Sequence, residues 1–126
     1  MTQEKWAHIN QIMRDKKIAI LAVQESHLDE MAVNNLNSLF HLRLRVWNSE
    51  DPLHPSAGKG VALVLNKGLT WWGEAIISNI IPGRALLMCL PWQGDSVVNI
   101  LAVYTPNTPQ ENAAFWSALS DKWEAG

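Results

Sequence analysis

Residues Ile18-Ala19-Ile20-Leu21-Ala22-Val23 run directly into Gln24-Glu25-Ser26-His27. Six consecutive aliphatic residues make a segment too short for a buried helix, and they read as a strand enclosed on both faces. A carboxylate then stands where that strand ends. Open α/β sheets gather their chemistry at such ends, and a hard cation such as Mg2+ takes only one or two protein carboxylates, leaving its other positions to water and substrate phosphate. Glu25 is therefore a candidate cation ligand. The plain alternative is a solvated glutamate that opens a loop, and four residues alone do not decide between the two.

Working outward, Trp6, Ile9, Ile12 and Met13 recur at helical spacing, with Thr2 placed to cap and Glu4 in the first turn, which predicts an amphipathic helix over 3–16. On the other side, Asp29 is placed to cap a helix that carries Met31, Val33, Leu36, Leu39 and Phe40 and ends near His41. Leu42, Leu44 and Val46 alternate with Arg43 and Arg45, predicting a half-buried strand with its arginines toward solvent. The prolines, glycines, serines and acids of 48–60 predict a loop, and 61–65 resumes as strand. Beyond Gly68, strands are expected at 74–81, 84–90 and 97–104, joined at Pro82-Gly83 and Gln93-Gly94-Asp95 into an antiparallel meander. Pro109 suits the first turn of a closing helix over 109–123, with Phe115, Trp116 and Leu119 on its apolar side. No repeat or linker divides the chain. The class is α/β, or α+β in the strict sense, with a mixed, largely antiparallel sheet.

Composition limits the function classes. The chain has 126 residues, 48% hydrophobic and 17% charged, which suits one compact domain rather than a disordered or fibrous segment. Its longest apolar runs fall far below the ~18 residues of a membrane span, and the N-terminus lacks the pattern of a secretory signal. An intracellular protein without a membrane is expected. Cys89 is the only cysteine, so no intrachain disulfide can form. A net charge of -2 with scattered lysines and arginines gives no basic stripe for bulk binding of nucleic acid. Gly58-Lys59-Gly60 lacks the frame of a phosphate loop and leads into a strand. The four histidines, His8, His27, His41 and His54, lack zinc spacing. Ser26 has no nucleophile elbow.

A second polar cluster, Tyr104-Thr105-Pro106-Asn107, also follows an apolar strand, Val98 to Val103. A phenol and a carboxamide are neutral hydrogen-bonding groups that can orient a phosphate without cancelling the charge of a metal. The plain alternative is a β-turn in which Asn107 bonds the backbone.

In that order, Gln24-Glu25-Ser26-His27, Gly58-Lys59-Gly60-Val61-Ala62-Leu63-Val64 and Val103-Tyr104-Thr105-Pro106-Asn107 resemble the endonuclease/exonuclease/phosphatase superfamily. The likeness is closest to the apurinic-type endonuclease domain of non-LTR retrotransposons and spans the whole chain. It implies metal-dependent phosphodiester hydrolysis, with DNA as substrate and partner, Glu25 binding Mg2+ or Mn2+, and Tyr104 and Asn107 contacting the scissile phosphate. His27, Lys59 and Arg84 receive no defined role from it. A nuclear location follows if the chain derives from a retroelement.

The same resemblance implies that residues 1–126 are a partial domain, lacking the family's first strand with its metal-site Asn and the later Gly-Asp-x-Asn and Ser-Asp-His segments. The expected architecture is then about half of a four-layer αββα sandwich, with helices on one face of the sheet. The other face, with Leu63, Ile77, Leu87 and Ile100, is expected to lie open, to bind a hydrophobic dye, and to pair with a C-terminal half. Two other functions remain open at this point: a same-fold phosphatase or RNA nuclease, and a noncatalytic remnant or interaction module.

Overall fold

The computed structural model describes residues 3–50, 60–105 and 108–125. The chain runs α1 (Gln3–Asp15), β1 (Ile20–Gln24), α2 (Glu30–Leu39), β2 (Leu44–Ser49), β3 (Val61–Asn66), a 3-10 turn at Trp72–Glu74, β4 (Ile76–Ile81), β5 (Ala85–Trp92), β6 (Ser96–Val103) and α3 (Pro109–Ala125). The strands form two antiparallel three-stranded sheets, β1-β3-β2 and β4-β5-β6. This is the α+β class that the sequence predicts.

The period of two along each strand sorts side chains into three apolar layers. On β3, Ala62 and Val64 face the helices, packing with Trp6 and Met13 of α1, Leu36 of α2, and Leu44 and Val46 of β2. Val61, Leu63 and Leu65 point the other way and meet Leu86, Met88 and Leu90 of β5 and Ala102 of β6. The outer face of the second sheet, through Ala85, Leu101 and Val103, is covered by Phe115 and Leu119 of α3. The order of layers is therefore α1/α2, first sheet, second sheet, α3. Each large apolar side chain buried this way contributes roughly 1.5–3 kcal/mol.

This layering corrects the expected open face. Leu63 is fully buried between the sheets, and Ile77 and Ile100 pack against the same cluster. Leu87 lies on the opposite face of its sheet, across from Leu101 on the α3 side. The chain supplies its own second sheet from β4–β6, and the two sheets bury each other.

Local signals account for most boundaries. Asp29 caps α2 as expected, its Oδ1 accepting from Ala32 N at 2.8 Å. The β2 strand begins two residues later than predicted, because Phe40 closes a turn in which its carbonyl accepts from both Arg43 N and Leu44 N at 2.9 Å. Leu42 is consequently 79% exposed. Thr2 lies outside the described residues. Among those described, no helix is long and apolar enough to cross a membrane.

Candidate functional site

β1 and β6 end at the same place. Gln24, the last residue of β1, donates from Nε2 to the carbonyl of Val103, the last residue of β6, at 2.8 Å. The next residue on each strand is then brought beside its counterpart, and the Tyr104 hydroxyl donates to Glu25 Oε1 at 2.8 Å. Two clusters separated by 79 positions in the chain thus touch through their polar tips. Asn107, the third expected site residue, lies outside the described residues, as does Lys59.

The loop that carries Glu25 is strained and held. Glu25 and His27 both adopt left-handed backbone, at φ 49 and φ 54. A non-glycine residue there costs about 1–2 kcal/mol, and such strain persists only where the surroundings enforce it. Ser26, between them, supplies the enforcement. It is 1% exposed. Its N–H donates to the Gly60 carbonyl at 3.2 Å, and its Oγ donates to Asn48 Oδ1 at 2.6 Å. Asn48 Nδ2 in turn donates to the carbonyl of fully buried Leu28 at 2.8 Å. The reversal around inward Ser26 leaves Glu25 exposed and His27 half-buried.

Arg84 completes the group. The β5–β6 register sets Ala85 opposite Val103, so Arg84 falls beside Tyr104. Tyr104 N donates to the Arg84 carbonyl at 2.8 Å, and Arg84 Nη1 returns a bond to the Tyr104 carbonyl at 3.3 Å. The guanidinium lies 5.2 Å from the centre of the Tyr104 ring. Tyr104 is held above the ordinary tyrosine pKa, first by its hydrogen bond to Glu25, then by loss of solvent and by repulsion between tyrosinate and the Glu25 charge. Arg84 pulls the other way. At neutral pH the phenol is a neutral donor.

The site thus combines a solvent-facing carboxylate, a neutral hydroxyl on it and a cation behind the ring. Its surface is open. A hollow of about 380 Å3, lined by Lys67, Thr70, Trp71, Trp92 and Gln93 among others, lies at the opposite end of the strands, where β5 and β6 pair Trp92 with Ser96. Among the described residues no three His, Cys, Asp or Glu side chains gather as a metal-binding group. One exposed carboxylate with hard oxygen chemistry nonetheless fits Mg2+ or Mn2+, which takes most of its ligands from water and substrate.

The sequence reading singled out Glu25 and Tyr104. It gave no role to Arg84, whose signal lay in the hairpin register, and it missed the Ser26–Asn48–Gly60 support. No protein-family model matches this chain, and no curated protein matches it significantly. The fold and site define a small α+β sandwich with a carboxylate–phenol pair at one pole.

Proposed function

We propose that the protein is a metal-dependent phosphodiesterase of the endonuclease/exonuclease/phosphatase type that cuts DNA in the manner of a retroelement endonuclease. The observation that carries this reading is the 2.8 Å hydrogen bond from Tyr104 to Glu25. The resemblance requires those two motifs to share one site, and the fold sets their strand ends side by side with the phenol on the carboxylate.

Glu25 would hold Mg2+ or Mn2+, and the bound cation would supply positive charge beside a phosphate oxygen. The remaining work belongs to the chain. Tyr104, kept protonated, donates its hydrogen bond to Glu25 in the free protein and can turn that donor to a phosphate oxygen once substrate arrives. A neutral donor orients the phosphate without competing for the cation. Arg84 holds the Tyr104 backbone from across the hairpin, and its guanidinium brings a permanent positive charge to a surface that otherwise lacks a basic stripe. Asn107 is a second neutral phosphate contact on the strength of its sequence position. An open site at the pole of the sandwich suits a polymer lying across it better than a small enclosed metabolite.

Incubation of the protein with supercoiled DNA and Mg2+ tests the proposal. Nicking is expected, abolished by chelation and by Glu25→Gln and lowered at least tenfold by Tyr104→Phe. Cleavage of RNA or a phosphomonoester in preference to DNA would keep the chemistry and replace the substrate. Equal activity in wild type and Glu25→Gln would reject the reading. A second reading, a noncatalytic module, draws on the Tyr104 hydroxyl already bonded to the Glu25 carboxylate, a contact that also suits a purely structural tie between the strand ends. That reading predicts no Mg2+-dependent turnover on any of these substrates.

A further inference from the structure

The two sheets have four edges between them, and three are guarded. β1 is only five residues long. β2 carries Arg45, and the pairing of β4 is interrupted between Asn79 and Ile81. Short length, charge and irregular pairing are the usual means by which proteins blunt an edge. β6 has none of them. Its sequence, Ser96-Val97-Val98-Asn99-Ile100-Leu101-Ala102-Val103, contains no charge and no proline, and it pairs with β5 in unbroken register along its whole length.

The outward backbone groups of β6 can be assigned. Tyr104 N donates to the Arg84 carbonyl, so position 104 bonds toward β5. Alternation along an antiparallel ladder then turns Ala102, Ile100 and Val98 toward β5 and leaves the N–H and C=O groups of Val97, Asn99, Leu101 and Val103 at the edge. The Val103 carbonyl, which accepts from Gln24, agrees with this assignment. Val97 is 58% exposed and Asn99 is exposed, so the middle of the strand is accessible.

We propose that β6 pairs antiparallel with β6 of a second copy of this chain, about a two-fold axis at Asn99, joining two three-stranded sheets into one of six strands. That axis sets Asn99 opposite its own counterpart and Val97 opposite Leu101 of the partner subunit. All are positions with edge-directed backbone groups, so each pair exchanges both of its hydrogen bonds. A second copy is the occupant the strand fits because two-fold pairing places every residue against its own kind of strand, and an uncharged strand does not repel itself. The carboxamide of Asn99, both donor and acceptor, complements itself across the axis. On the outer face of this strand, α3 covers the Leu101–Val103 end and leaves Val97 exposed, at 58%. Pairing sets that Val97 against Leu101 of the partner subunit.

Sedimentation equilibrium on the full chain tests this. The expected mass is twice 14.1 kDa, falling toward the single-chain value on dilution. Asn99→Lys sets two like charges directly opposite each other and is expected to give the single-chain mass with an unchanged circular dichroism spectrum. In a Cys89→Ser background, which removes the thiol that the register sets opposite Asn99 on β5, Asn99→Cys is expected to form an interchain disulfide on mild oxidation, since the Cα spacing of about 5.5 Å in such a pair lies within disulfide range. Asn35→Cys, exposed on α2, is expected not to do so. A wild-type mass of 14.1 kDa at every concentration, an unchanged mass in Asn99→Lys, or equal cross-linking of the two cysteine variants would each overturn the proposal.

Discussion

Gly60→Ala tests whether the Glu25 loop is held as described. Gly60 sits at φ 133, a backbone region that L side chains rarely adopt. A Cβ there would lie 2.8 Å from Ser26 Oγ, 3.6 Å from the Ser49 carbonyl and 3.7 Å from His27 N. Ser26 Oγ cannot yield cheaply, because the residue is 1% exposed and its hydroxyl is committed to Asn48 at 2.6 Å. Backbone strain of this kind costs about 1–3 kcal/mol, and losing a buried hydrogen bond costs about 1–3 kcal/mol more. The sum, about 2–6 kcal/mol, is a large share of the roughly 5–15 kcal/mol that holds a domain together. Equilibrium urea unfolding is expected to show a lower midpoint at constant slope. In a Ser26→Ala background the added cost should be smaller, because the 2.8 Å obstacle is gone and the two sites are coupled. A loss below about 1 kcal/mol for the single variant, or strict additivity in the double, would refute the packing argument.

Tyr104 is the only tyrosine in the chain, so the ultraviolet absorbance of tyrosinate follows it alone. Its midpoint is expected above the ordinary tyrosine value and should move down toward it in Glu25→Gln, which removes the carboxylate that raises it. The folded-state pKa is the higher one, so the contact's contribution to stability is complete below the ordinary tyrosine value and is lost as pH rises through the raised one. Ser49→Ala deletes the hydroxyl that accepts from Gly83 N at 2.8 Å and donates to Asn79 Oδ1 at 2.6 Å, linking the two sheets. Because Ser49 and Gly83 are buried, a loss of about 1–3 kcal/mol is expected by thermal or urea unfolding. Asp29→Ala removes the α2 cap and should cost about 1 kcal/mol in the same assay.

What was legible in the sequence followed local physics. The Trp6–Ile9–Met13 spacing and the Asp29 cap identify α1 and α2 because helix period and capping act within a few residues. Pro82-Gly83 and Gln93-Gly94-Asp95 located the turns between β4, β5 and β6, and the Glu25 and Tyr104 clusters stood out as polar groups directly after apolar strands. The partner of each apolar face was not legible. Every residue from Val61 to Leu65 is buried, so β3 shows no alternation to tell one covered face from two. The sheet-on-sheet contact that covers Leu63 is set by where β4–β6 fold back, which no single strand encodes. Arg84 was missed for a related reason, since its place beside Tyr104 comes from hairpin register rather than from a motif. Ser26 looked like an unsupported nucleophile, and its bond to Asn48, 22 residues away, makes it a structural anchor instead.

The central claim is that Glu25 and Tyr104 form one cation-binding, phosphate-handling site. Titration of Mn2+ into protein isotopically labelled at its single tyrosine tests this without depending on turnover. Binding at Glu25 would put the paramagnetic ion beside the Tyr104 ring, so its resonances should broaden early in the titration in wild type and stay sharp in Glu25→Gln. Sharp resonances throughout in wild type, or equal broadening in both proteins, would contradict the account.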